Sequence, residues 1–176
     1  MHKWRFYPKN NTYKLGENIM ADKTNAIRAL DKKKIEYTLH DYTDTDAISG
    51  TEIATVLNED PKKVFKTLVT VGKSGEHYVF MVPVEKELDL KKGAKVAGEK
   101  SIAMIKSKEL LPLTGYIHGG CSPIGMKKVF KTFIDSTGLN FEKIYFSAGK
   151  IGLQIETTLE NLQKIIPVLP AEITTD

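Results

Sequence analysis

The stretch Val64-Phe65-Lys66-Thr67-Leu68-Val69-Thr70-Val71 is rich in β-branched residues and predicts a β-strand. Lys73-Ser74-Gly75 follows as a turn, and residues 78–84 return as a second, almost entirely apolar strand. The two segments predict a hairpin whose return strand is buried.

Short helices and strands follow one another on both sides of this hairpin without strict alternation. Helices are predicted near residues 24–34, 49–57, 89–97, 107–111 and 158–166, with Pro112 ending the fourth. Further strands are predicted at residues 35–40, 115–118, 129–135, 143–147 and 151–155. About seven strands and four or five helices predict an α+β fold, a single domain with one mixed, barrel-like sheet.

The composition is that of an ordinary globular protein, with 41% hydrophobic and 27% charged residues in a chain of 176. A single cysteine excludes an intramolecular disulfide and fits a reducing compartment, so we expect a cytoplasmic protein. No apolar run approaches the roughly 18 residues of a membrane span, so no membrane association is expected.

Residues 1–19 differ from the rest of the chain, because they show neither helical nor strand periodicity. They carry four basic side chains and one acidic one, and therefore hold most of the net charge of +4. We expect residues 1–19 to be a non-native leader outside the fold, Met20 to be the natural start, and residues 20–176 to form the domain. The nearly neutral remainder gives only a weak general nucleic-acid footprint.

The segment His118-Gly119-Gly120-Cys121-Ser122-Pro123-Ile124-Gly125 predicts a sharply shaped loop. Glycine lets another molecule approach the main chain, and such a loop can direct N–H groups at a phosphate, a carboxylate or an oxyanion. A purely structural turn is the alternative.

Lys66 stands alone among the apolar residues of its strand. A lysine that points into the fold needs an anion, which makes Lys66 a candidate for a functional site. A lysine that extends along a sheet edge into solvent is the alternative.

The remaining reactive side chains give weaker signals. Cys121 lies three residues from His118, but hydrophobic packing is the simpler interpretation because spacing alone supplies no base. Ser147 ends a strand without the surroundings of a serine nucleophile, and is either a hydrogen-bond donor at a cleft or a turn residue. The histidines show no ligand spacing, so no metal and no cofactor are expected.

Three motifs in order, spanning about residues 22–170, resemble the YbaK/EbsC family, and within it the Cys-tRNA(Pro) deacylase branch. They are Phe65-Lys66-Thr67-Leu68, Thr114-Gly115-Tyr116-x-x-Gly119-Gly120-x-Ser122-Pro123-x-Gly125 and Tyr145-x-Ser147-x-Gly149-Lys150-x-Gly152-Leu153.

The resemblance implies a free-standing trans-editing enzyme that hydrolyses the ester between a wrong amino acid and the terminal adenosine of tRNA. Its implied partners are Cys-tRNA(Pro), with Cys-tRNA(Cys) as a further substrate, and prolyl-tRNA synthetase in a transient complex. The implied fold is a mixed α/β, barrel-like domain also found inserted in bacterial prolyl-tRNA synthetases. Deacylation of another small amino acid, such as alanine, and a non-catalytic module that binds a nucleotide or tRNA end are the alternatives.

The site residues implied by the resemblance fall into two groups. Those with catalytic roles are Tyr42, Lys66, Gly119 and Ser147. Those expected to bind substrate are Phe65, Thr67, Gly120, Ser122, Pro123 and Gly149. The resemblance also implies a route in which the thiol of the cysteine substrate attacks the ester carbonyl, so that the enzyme contributes positioning and electrostatics.

Overall fold

The computed structural model describes residues 23–176, and the predictions for residues 1–19 and for Met20 lie outside that part of the chain. The helices are α1 (Asn25–Lys32), α2 (Gly50–Val56), α3 (Leu90–Ala97), α4 (Ser107–Thr114) and α5 (Leu159–Ile165). The strands are β1 (Thr38–Asp41), β2 (Phe65–Gly72), β3 (His77–Pro83), β4 (Ile102–Met104), β5 (Lys131–Asp135), β6 (Ile144–Ser147), β7 (Leu153–Thr157) and β8 (Val168–Ala171).

The predicted hairpin lies in the middle of a five-stranded mixed sheet with the order β4-β2-β3-β5-β8. β2 pairs antiparallel with β3, so that Lys66 lies opposite Val82 and Leu68 opposite Phe80. β3 pairs parallel with β5, and β5 pairs parallel with β8. A separate antiparallel sheet has the order β1-β7-β6. The α+β class and the mixed sheet are therefore confirmed.

The mixed, barrel-like sheet expected from about seven strands is divided into two sheets and is not closed as a barrel. The residues described contain eight strands in two sheets, and an isolated bridge between Val64 and Tyr145 joins β2 to β6. No further pairing joins β2 to β6 among the described residues, and the β4 segment pairs with the same edge of β2 from Gly72 to Thr70, with one more hydrogen bond from the Ile105 N–H to the Val69 carbonyl. The edge of β2 between these two contacts stays open, which prevents closure and creates a cleft.

The main hydrophobic core lies between the two sheets and the helices α1 and α5. It contains Leu30 from α1, Phe65 from β2, Phe146 from β6, Ile155 from β7 and Leu162 from α5, all nearly inaccessible to solvent. Burial of side chains of this size contributes about 1.5–3 kcal/mol each, so this core fixes the positions of β2, β6 and β7 relative to one another.

The helix N-termini confirm the capping signals of the sequence. The Thr24 hydroxyl accepts a hydrogen bond from the Ile27 N–H, and Ser49 and Glu52 form a complete capping box at the start of α2. Thr158 caps α5 in the same way as Thr24 caps α1.

Two local predictions around α4 are wrong. Pro112 lies inside α4 instead of ending it. The proline removes only one intrahelical hydrogen bond, and the helix continues to Thr114 with Gly115 as its C-cap. The predicted strand at residues 115–118 is absent from the described chain, since Gly115 takes a left-handed conformation with φ 85° and turns the backbone.

Candidate active site

The open edge of β2 forms one wall of a cleft of about 380 Å³. The three-stranded sheet forms the opposite wall, and the start of α2 and the glycine-rich loop complete the lining. The residues that line it are Tyr42, Ile48, Ser49, Gly50, Thr51, Ile53, Val64, Phe65, Lys66, Thr67, Leu68, Val69, Val84, Met104, Ile105, Leu110, His118, Gly119, Cys121, Phe146, Ser147, Leu153 and Gln154. This volume lies within the usual range for small-molecule sites.

Six of the ten site residues expected from the sequence line this cleft. They are Tyr42, Phe65, Lys66, Thr67, Gly119 and Ser147. They come from β2, β6, the loop after β1 and the glycine-rich loop, so residues more than 100 positions apart in the sequence meet at one place.

The other four expected residues, Gly120, Ser122, Pro123 and Gly149, lie outside the lining. Ser122 and Pro123 are buried, and the Ser122 hydroxyl oxygen has no hydrogen-bond partner within residues 23–176. Gly120 packs against the Lys150–Ile151 backbone, where an added Cβ would lie 3.1 Å from the Ile151 nitrogen. Gly149 packs against the Tyr116 ring. Gly120, Ser122 and Pro123 thus shape the glycine-rich loop, and Gly149 shapes the turn between β6 and β7.

β2 places a cation and a hydroxyl at the cleft. The Lys66 Nζ lies 3.2 Å from Oε1 of Glu87, whose side chain is 79% exposed. A surface ion pair of this kind contributes little, so an anionic ligand can displace Glu87 at small cost. The neighbouring Thr67 Oγ1 is buried and has no hydrogen-bond partner among the described residues.

The glycine-rich loop places the Gly119 amide at the cleft. Gly119 has a left-handed conformation with φ 84°, and an added Cβ would lie 3.6 Å from Ile151 and 3.7 Å from Ile48. The Gly120 N–H donates to the Ile117 carbonyl at 3.0 Å and is therefore already used. The Gly119 N–H has no acceptor in the described part of the chain. Of the two glycine amides, it is therefore the one that can donate a hydrogen bond to a ligand.

Ser147 on β6 and Tyr42 in the loop after β1 offer hydroxyl groups to the cleft. The Ser147 Oγ accepts a hydrogen bond from the Gly149 N–H at 3.1 Å, which leaves its own proton free to donate. Tyr42 is 3% exposed, and its burial raises the pKa of its phenol, which therefore stays neutral. Both groups are neutral hydrogen-bond formers at physiological pH.

Two residues that sequence reasoning missed, Gln154 and Glu59, extend the site. Gln154 on β7 lies opposite Ser147 on β6, lines the cleft, and donates from Nε2 to Oε2 of Glu59 at 3.0 Å. The alternation in Leu153-Gln154-Ile155-Glu156 already indicates a polar face on this strand and could have drawn attention to Gln154. Glu59 gives no such signal, because it lies in the loop after α2.

Cys121 packs in an apolar cluster with Val69, Val79 and Leu110 and is 8% exposed. This burial raises the pKa of its thiol to about 12, so the thiol stays protonated at neutral pH. The packing agrees with the interpretation of Cys121 as a small hydrophobic residue.

The described residues contain no group of three or more His, Cys, Asp or Glu side chains that could hold a metal ion. Among the helices between residues 23 and 176, none has the length and apolar character needed to cross a membrane.

Comparison with known proteins assigns most of the chain to one type of domain. Residues 45–165 match the family model of the aminoacyl-tRNA editing domain. A protein of Enterococcus faecalis, provisionally named Cys-tRNA(Pro)/Cys-tRNA(Cys) deacylase EbsC, is 42% identical over 154 residues, which are 87% of this chain and 94% of that protein.

More distant matches agree with this. A proline–tRNA ligase of Thermosipho africanus is 29% identical over 98 residues, 56% of this chain but only 17% of the ligase. A crystal structure provisionally described as a trans-editing enzyme for prolyl-tRNA synthetase superimposes with a TM-score of 0.77 at 21% identity, covering 89% of this chain and 100% of that one. At that identity the superposition shows a common fold.

Proposed function

The chain belongs to the aminoacyl-tRNA editing domain family, and from that premise we propose that it hydrolyses mischarged Cys-tRNA(Pro), and also Cys-tRNA(Cys), as a free-standing enzyme. The observation that carries the proposal is the convergence of Lys66, Gly119, Ser147 and Tyr42 on one cleft of suitable size. The choice of cysteine is supported by the name of the 42% identical relative.

The need for such an enzyme follows from the sizes of the two amino acids. Cysteine is close to proline in size, and a pocket that differs by one or two heavy atoms discriminates by only about 1–3 kcal/mol. A separate hydrolytic site removes the errors that a synthetase pocket of this kind accepts.

Lys66 and Gly119 supply the electrostatic contribution. The Lys66 ammonium, released from the exposed Glu87, binds the phosphate of the terminal nucleotide or polarises the ester carbonyl. The free Gly119 N–H stabilises the oxyanion that forms when the carbonyl is attacked. Ser147 and Tyr42 orient the ribose and the aminoacyl group by hydrogen bonds.

The attacking group is the thiol of the substrate. The cleft lining, within the described chain, has no hydrogen bond between a histidine and a serine or cysteine, and burial keeps the Cys121 thiol protonated. The substrate sulfur bonds to the ester carbonyl carbon, and the tetrahedral intermediate expels the ribose oxygen, which takes up the thiol proton. Water then opens the resulting cyclic thioester to free cysteine.

A panel of charged tRNAs tests the proposal. Purified protein is incubated with Cys-tRNA(Pro), Ala-tRNA(Pro) and Pro-tRNA(Pro), and the loss of the aminoacyl ester is followed. We expect turnover of the cysteinyl ester alone. Preferential loss of alanine would favour the alternative substrate, and binding of charged tRNA without any turnover would favour the non-catalytic module.

A thiol-blocked substrate tests the route. S-methylcysteinyl-tRNA(Pro) keeps the amine of the substrate and adds only one methyl group, which removes the nucleophilic thiol. We expect its hydrolysis to fall by a factor of roughly 100 or more, since an intramolecular nucleophile is worth several kcal/mol. Equal hydrolysis of both esters would contradict the thiol route and require an external water as the nucleophile.

The enzyme acts in the cytoplasm, where tRNAs are charged, and meets prolyl-tRNA synthetase in a transient complex. The similarity to part of a proline–tRNA ligase supports a functional link to that synthetase. Cross-linking of the two purified proteins in the presence of tRNA(Pro) tests the complex, and an absence of cross-linked product would leave the enzyme acting on released Cys-tRNA(Pro).

A further inference from the structure

One face of the three-stranded sheet is polar and borders the cleft. On its central strand β7, Gln154 lies between Ser147 on β6 and His40 on β1. Glu156, two residues further along the same face, lies opposite Tyr145 and accepts a hydrogen bond from the His40 ring at 2.6 Å. Glu59 approaches this face from the loop after α2.

The contact between Gln154 and Glu59 leaves two buried acceptors unused. The amide nitrogen of Gln154 donates to Oε2 of Glu59 at 3.0 Å. Oε1 of Gln154 and Oε1 of Glu59 are both buried and have no hydrogen-bond partner among the described residues. Native proteins pair nearly all such atoms, because leaving one unpaired is costly. Gln154 is 3% exposed and lines the cleft, so a bound ligand can supply the missing donor.

The charge around this pair is also incomplete. The ion pairs of the described residues use Lys66 with Glu87 and His40 with Glu156, and none of them includes Glu59. Burial and, in addition, the charge of Glu156 raise the pKa of Glu59, and burial and the charge of Glu59 raise the pKa of Tyr42, so the charged neighbour of Glu59 is itself an acid. A buried carboxylate among acidic neighbours, without a cation, favours a ligand that brings a positive charge and hydrogen-bond donors.

We propose that Gln154 and Glu59 recognise the α-ammonium group of the aminoacyl ester, an inference that rests on the function proposed above. Gln154 Oε1 accepts a hydrogen bond from the ammonium. Glu59 holds the Gln154 amide so that its oxygen is available, and supplies the compensating negative charge. Gln154 is thus a binding residue, and Glu59 is a positioning residue that acts through it.

The cleft then has opposite charges on its two walls. Lys66 on β2 is suited to an anionic phosphate, and the Gln154–Glu59 pair on the other side is suited to a cationic amine. The aminoacylated terminal nucleotide of a tRNA, with its 5′-phosphate and its free α-ammonium group, carries this same pair of charges. The arrangement accepts esters with a free amine and excludes N-acylated esters, so peptidyl-tRNA and formylated initiator tRNA are left intact.

Substrates without the amine test the inference. Cys-tRNA(Pro) is compared with 3-mercaptopropionyl-tRNA(Pro), which keeps the thiol and adds no bulk, for wild type, Glu59→Gln, Gln154→Met and the exposed-site control Glu142→Gln. We expect wild type and the control to prefer the free amine roughly tenfold or more in kcat/KM, mainly through KM. Both cleft variants should reduce this preference at least threefold.

A binding measurement separates failure of this inference from failure of the proposed function. Cysteine and 3-mercaptopropionic acid are each linked by an amide to 3′-amino-3′-deoxyadenosine 5′-phosphate, and both compounds are titrated into each variant. If wild type prefers the compound with the amine, and Glu59→Gln and Gln154→Met reduce this preference, the inference is supported. That conclusion holds even if wild type does not hydrolyse the cysteinyl ester, a result that overturns only the proposed function. Equal affinity of wild type for both compounds, or a preference that survives in both variants, overturns the inference.

Discussion

Ser147 and Gln154 are direct cross-strand partners on β6 and β7, and both line the cleft. This register joins a residue that a sequence motif identifies to one that no motif identifies. Because side chains alternate along a strand, the same pairing directs Phe146 and Ile155 to the opposite face, where both are fully buried in the main core. The core therefore fixes the position of the polar face that borders the cleft.

Glu59→Gln is expected to stabilise the protein at alkaline pH. Burial raises the pKa of Glu59 from its ordinary value of 4.5 to about 7, the hydrogen bond from Gln154 partly opposes this, and the charge of Glu156 adds to it. Between these two pH values the folded protein keeps a proton that the unfolded chain has lost, so the free energy of unfolding falls as pH rises through this window.

Replacing the Glu59 carboxylate by a neutral amide abolishes this fall in the free energy of unfolding. We expect Glu59→Gln to be more stable than wild type by on the order of 1–2 kcal/mol at pH 8, after allowing for solvent screening, and to show no gain near pH 4. Urea unfolding at both pH values measures this, with Glu142→Gln as the control. A difference between Glu59→Gln and wild type that does not change with pH would contradict the assignment of a buried, titrating carboxylate.

The sequence predicts well the parts of the fold that depend on long, regular patterns. The hairpin of β2 and β3 and the capped helices follow directly from hydrophobic alternation and capping residues. β4 is missed because a strand of three residues carries too little pattern, and β8 is missed because Pro170 interrupts the strand signal in a segment of only four residues. Closure of the sheet depends on whether β2 continues alongside β6, which no local pattern reports.

The same distinction applies to the site. Lys66, Gly119 and Ser147 stand out because each belongs to an ordered motif. The contact between Glu59 and Gln154 joins residues 95 positions apart, and neither is unusual in its own segment. The register of β6 with β7 and the path of the loop after α2 bring them together, so the structure is needed to find the pair.

Cys121→Ser is expected to keep deacylase activity within about twofold of wild type. The thiol is buried in an apolar cluster, and this burial raises its pKa to about 12, so no thiolate is available to attack a substrate. A hydroxyl in this apolar position should lower stability by about 1–2 kcal/mol. Steady-state kinetics together with thermal unfolding measure both effects. An inactive variant with a native circular dichroism spectrum would instead assign the thiol a part in the reaction.

Gly119→Ala is expected to reduce activity more than its stability loss explains. Gly119 has a φ of 84°, where a Cβ costs about 1 kcal/mol, and its N–H has no acceptor among the described residues. Gly75→Ala is the matched control, because Gly75 has a φ of 91° and open space around its Cβ position, in the turn between β2 and β3.

Both variants should lose similar stability by urea unfolding, but only Gly119→Ala should lose catalysis, by about 10-fold to 1000-fold in kcat. Equal kcat values for the two variants would remove the Gly119 amide from the proposed oxyanion contact.

The most direct test of the central claim is the rate of hydrolysis of Cys-tRNA(Pro) by wild type, Lys66→Ala and Lys86→Ala. Lys66 lines the cleft, whereas Lys86 is an exposed lysine outside its lining, so the two variants lose the same charge at different places. We expect wild type and Lys86→Ala to deacylate Cys-tRNA(Pro) at comparable rates, and folded Lys66→Ala to be inactive. Full activity of Lys66→Ala would contradict the assignment of this cleft as the editing site.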